Sequence, residues 1–92
     1  MTDSQTAQTI LVYVRLCGGD EDCREISFNI PEGMSQRDLL DHGFAIDGRE
    51  AVKTVVTVKD NYNHVPVARA LREAQVALVQ WLGDLGYEIE FK

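Results

Sequence analysis

Two cysteines and two histidines are the side chains best equipped for chemistry, and their spacing limits what they can do. Cys17 and Cys23 flank Gly18-Gly-Asp-Glu-Asp22, while His42 and His64 lie far away in sequence. A structural zinc site takes four closely organised ligands, which this set does not offer. Two thiols facing each other across a hairpin are close enough for a disulfide, but a reducing cytosol opposes it. The expectation is two free thiols, with Cys17 and Cys23 as the pair that air oxidation would join. Asp20-Glu-Asp22 lacks the alternating oxygen ligands and distal glutamate of a calcium loop. It reads as a solvated turn that opposes edge-to-edge aggregation. No nucleophile–base–orienter set, Gly-x-Ser-x-Gly elbow or P-loop is present. The expectation is therefore a non-enzymatic protein without cofactor or metal.

The element that must position everything else is the amphipathic stretch from Pro66 to Leu85. Val67, Leu71, Ala74, Leu78, Leu82 and Leu85 recur at steps of three and four and line one helical face. Ala70, Ala77 and Trp81 widen it. Arg69, Glu73, Gln80 and Asp84 lie opposite. Pro66 suits the first helical position, and Gly86 the residue just past the end. Val76 falls on the polar face near Arg69 and Arg72, and Val79 sits at its edge. Two valines rimmed by arginines make a candidate partner surface. The loop Asn61-Tyr62-Asn63-His64, at the helix start, supplies further candidate contacts, because loops carry function and helix starts can hold anions. There is no glycine-rich cradle, however, and Pro66 removes one donor. His42, near the end of a shorter helix, is accounted for by the helix dipole.

The remaining segments read as strands. Ile10–Leu16 and Arg24–Ile30 alternate with period two about a turn, predicting a hairpin. Pairing Cys17 with Cys23 sets Val14 against Ile26, Val12 against Phe28 and Ile10 against Ile30 on one face. Arg15 then meets Glu25, and Tyr13 meets Ser27, on the other. Ser35 with Asp38 resembles a capping box before a short helix over about 36–42 that buries Leu39 and Leu40. Gly43 suits its left-handed end, with Phe44 packing back on Leu39. Asp47-Gly48 predicts a tiny hairpin between 44–46 and 49–51. Val52–Lys59 predicts a strand, Asp60–His64 a polar loop, and Tyr87–Phe91 a last strand. The fold class is α+β. The order β-β-α-β-α-β predicts two layers, a mostly antiparallel sheet of about four strands packed against one long helix and one short helix. The last strand can lie parallel to the Val52–Lys59 strand or beside the first hairpin. Residues 1–8 read as a disordered tail and 9–92 as one domain.

The 92 residues carry a net charge of −6, from 15 acids against 9 bases. That argues against non-specific binding to a phosphate backbone and permits solubility, a basic partner or mimicry of nucleic-acid charge. The acids are scattered along the chain, apart from Asp20-Glu-Asp22, so charge mimicry of nucleic acid is disfavoured. The polar start and the lack of any apolar run of about 20 residues point to a cytoplasmic protein with no membrane contact. In size, acidity and single-domain α+β build, the chain resembles the small phage-encoded anti-CRISPR proteins, across its whole length and on no motif. The resemblance implies a protein partner, a Cas ribonucleoprotein effector complex of the bacterial host, whose target-DNA recognition is blocked. The alternative is a small homodimeric structural or regulatory domain, paired through sheet edges or the Leu11/Tyr13 face.

Overall fold

The computed structural model describes residues 8–17, 20–60 and 63–92, with the backbone alone described at 20–22, 58–60 and 63–64. Seven strands and two helices follow in the order β1 (Thr9–Cys17), β2 (Asp20–Asn29), α1 (Gln36–Asp41), β3 (Ala45–Asp47), β4 (Glu50–Val56), β5 (Val58–Asp60), β6 (Asn63–Val65), α2 (Val67–Asp84) and β7 (Glu88–Phe91). The α+β class holds. The main sheet has five strands, in the order β3-β4-β2-β1-β7.

The hairpin register is the one the alternation dictates. Val12 pairs with Phe28, Val14 with Ile26 and Arg15 with Glu25. A slip of one residue would turn every apolar side chain to the wrong face. At its end the register shifts between Leu16 and Cys17, so Cys17 stands opposite Asp20 and not Cys23. β2 then pairs antiparallel with β4, and β4 with β3. The last strand takes the place beside the first hairpin: β7 runs parallel to β1, with Ile10 opposite Ile89 and Val12 opposite Phe91. The sheet is therefore mixed.

Four expectations are corrected here. Gln8 is no tail residue, since its carbonyl accepts the Glu88 N–H at 3.0 Å; residues 1–7 lie outside the described residues. The Val52–Lys59 strand ends early, at Val56, where pairing with Cys23 is the last contact with β2. The polar loop is instead a second hairpin, in which Lys59 pairs with His64 and Asp60 with Asn63. Leu40, expected inside, is 59% exposed while Leu39 is buried. A six-residue helix turns one narrow stripe inward, and adjacent residues lie about 100° apart around it.

Both helices lie on one face of the sheet. The core joins Ile10, Val12, Ile26, Phe28, Ala51 and Val55 from the strands to Leu39, Phe44, Leu78 and Leu82. Ser35 caps α1, its Oγ accepting the Asp38 N–H at 3.4 Å. α1 ends in a Schellman turn: the Phe44 N–H reaches the Leu39 carbonyl at 2.9 Å and the Gly43 N–H that of Leu40 at 3.0 Å. Gly43 takes φ +84 there, and an added Cβ would lie 3.4 Å from Lys53 Cε. A left-handed conformation costs a residue with a side chain about 1–2 kcal/mol. Gly43→Ala should accordingly lower the melting temperature by about 4–8 °C per kcal/mol lost, read by thermal circular dichroism.

Candidate functional site

The helices leave the other face of the sheet uncovered, and the register decides what it carries. Residues directly opposite share a face, as do alternate residues along a strand. Leu11, Tyr13 and Arg15 of β1 therefore stand with Glu25 and Ser27 of β2, and with Val52 and Val56 of β4. Glu50 pairs with Asn29 and Asp47 on that face. Glu88 and Glu90 join it opposite Thr9 and Leu11. Five carboxylates, those of Glu25, Asp47, Glu50, Glu88 and Glu90, so share this face with apolar side chains, of which Leu11 is 38% and Tyr13 41% exposed. Val56 is exposed as well.

The cations on this face are engaged with these same carboxylates. The Arg15 guanidinium lies 3.6 Å from Glu25 Oε2 and donates to Ser27 Oγ at 2.8 Å. Ser27 is thereby satisfied although fully buried, as a buried hydroxyl requires. Lys92 Nζ lies 3.8 Å from Glu90 Oε1. Both ion pairs are substantially exposed and contribute little to stability. What remains is an acidic surface with an aromatic and an aliphatic anchor.

A second uncovered surface lies on α2. Val76 is 52% and Val79 42% exposed. With Arg72, Gln75, Gln80 and Phe91 they line an open cleft of about 250 Å³. Arg69 lies one turn before Glu73 and pairs with it at 3.8 Å, both side chains largely in solvent. Of the remaining residues proposed from the sequence, Asn63 and His64 lie on β6, and Asn61 and Tyr62 fall outside the described residues. The structure thus gathers Arg72, Val76 and Val79 and adds Phe91, whose side chain reaches α2 because β7 flanks β1. Only the off-pattern valines signal this cleft in the sequence. The acidic face has no local signal, because its carboxylates come from four strands.

The thiols expected to be free are joined: Cys17 and Cys23 form a disulfide with their Cα atoms 5.4 Å apart. The register shift at Cys17 accommodates it without opposing the two residues in the ladder. His42 closes α1 as a structural group. Its ring stacks on Trp81 at 3.9 Å and 11°, and its Nδ1–H donates to the Asp38 carbonyl at 2.7 Å. Lys53 Nζ donates to the His42 carbonyl at 3.1 Å. Cations at a helix C-terminus are favoured by its dipole. Among the described residues no group of three His, Cys, Asp or Glu side chains could hold a metal ion, and no helix is long and apolar enough to cross a membrane. No family model, curated protein or solved structure matches the chain.

Proposed function

We propose that the protein is a small, acidic, non-enzymatic binding protein that inhibits a larger host assembly, in the manner of an anti-CRISPR protein acting on a Cas effector complex. The observation that supports this reading is the uncovered sheet face. Its five carboxylates share that face with Leu11 and Tyr13, an arrangement suited to a basic surface with apolar recesses. A channel that holds target DNA is such a surface, because phosphate binding requires clustered arginine and lysine. Occupying it would block target-DNA recognition without any covalent chemistry. Tyr13 is the natural anchor, since an exposed tyrosine contributes large area at low entropic cost.

The test is a pull-down of the tagged protein from a bacterium carrying an active CRISPR system, alongside a phage-protection assay. The expected result is stoichiometric retention of the effector complex and loss of immunity. Tyr13→Asp should abolish both, and raised salt should weaken retention. If the effector is not retained and immunity is intact, this reading fails.

A further inference from the structure

We infer that the exposed ridge of α2 is an interface between two copies of this chain, packed helix against helix in antiparallel order about a two-fold axis. Arg72, Val76, Val79 and Gly83 recur at intervals of four, three and four, which places them on one line along the helix. All four are exposed, and Phe91 flanks the two valines.

Gly83 is the telling residue. It is helical, and the left-handed position past the helix end belongs to Gly86, at φ 96. Within a helix, glycine is disfavoured relative to alanine. A Cβ added at Gly83 would meet nothing within 4 Å. Nothing inside the chain therefore requires a glycine there. A missing side chain on an exposed apolar ridge is what close approach of another helix requires.

The charge pattern names the occupant. Arg69 and Arg72 lie toward the start of α2, and Asp84 is its last residue. Antiparallel pairing centred between Val76 and Val79 sets Val76 against Val79 of the second copy. It also lays Arg72 over Gly83 of that copy, beside Asp84 and the negative end of the helix dipole. Parallel pairing would set arginine against arginine. Self-complementarity of this kind is the condition for an isologous interface, in which each contact occurs twice. α2 and the acidic face lie on opposite sides of the sheet, so the dimer leaves two acidic faces free.

Sedimentation velocity of the full chain over a wide concentration series tests this. The weight-average mass should rise from 10.3 kDa toward twice that value. The double variant Val76→Asp, Val79→Asp should stay at monomer mass with an unchanged circular dichroism spectrum. Arg72→Glu and Asp84→Arg should each weaken association by about tenfold or more through like-charge contact, and their combination should restore it. A wild-type chain that remains monomeric throughout overturns the inference. So does a dimer indifferent to the two aspartates, or charge variants that are not rescued in combination. The immunity assay with Tyr13→Asp reads the other face, so either result stands without the other.

Discussion

Phe28→Ala should destabilise the fold by about 3–5 kcal/mol, the range for deleting a large core aromatic. Phe28 is fully buried at the centre of the sheet. It is held edge-to-face against Phe44, with ring centroids 5.4 Å apart and planes at 68°. Such pairs contribute about 0.5–1.5 kcal/mol beyond the area they bury. Phe44 in turn is fixed by the turn that ends α1, and it lies 6.0 Å from Trp81. Removing Phe28 therefore empties the space between the sheet and both helices, which rigid neighbours refill only in part. Against a total stability of about 5–15 kcal/mol for a domain of this kind, that loss is a large fraction of the whole. Urea denaturation checks this through the transition midpoint. A loss below about 0.5 kcal/mol, the range of a tolerated surface change, would contradict the packing described above.

Reduction of the Cys17–Cys23 disulfide should cost about 2 kcal/mol, because the closed loop is short and the entropy removed from the unfolded chain grows only slowly with loop length. The bond spans a sequence separation of 6. It fastens the first hairpin near its connecting end, where β1 passes into β2 and where Cys23 also pairs with Val56. The comparison is direct: denature the protein in urea with and without dithiothreitol, and repeat with the Cys17→Ala, Cys23→Ala variant. The wild-type midpoint should fall on reduction to that of the variant, and the variant should ignore the reductant. Equal midpoints for reduced and oxidised wild type would show that the bond adds nothing to the native state. In a reducing cytosol the reduced value is the relevant one.

Local signals in the sequence reached as far as local physics does. The β1–β2 register was legible because a slip of one residue would part Val12 and Val14 from Ile26 and Phe28 on the shared face. The long helix was legible from its repeat, and the end of α1 from Gly43 followed by Phe44. The place of β7 was not legible, since Tyr87, Ile89 and Phe91 alternate equally well beside either neighbour. The break after Val56 was also hidden. Val58 continues the pattern of Val52 and Val56, and only the end of pairing with β2 interrupts it. That Cys17 and Cys23 lie close was legible from the hairpin, although the register shift keeps them from facing each other in the ladder, and their bonding state was not legible. At the candidate sites the off-pattern Val76 and Val79 gave away the ridge on α2. The acidic face escaped because Glu25, Asp47, Glu50, Glu88 and Glu90 become neighbours only once five strands are aligned.

The parallel pairing of β1 with β7 also sets the order in which the molecule can be assembled. β1 with β2 and β3 with β4 are close in sequence and can zip together as they are synthesised, and the segment carrying α1 brings the second pair back to the first. β7 must wait until α2 has been made, and Phe91 must then find Val12 across nearly the whole chain. Loop closure of that length costs more entropy than a hairpin does, and the contact rewards it late. β7 is four residues long and, like the three-residue β3 at the opposite edge, bonded on one side only, so it is among the strands most readily released from the finished sheet. Its release would expose Ile10 and Val12 along a bare β1 edge, an apolar template for pairing with other chains. Glu88 and Glu90 on that last strand, with Lys92 just past it, place charge along this edge and oppose such pairing.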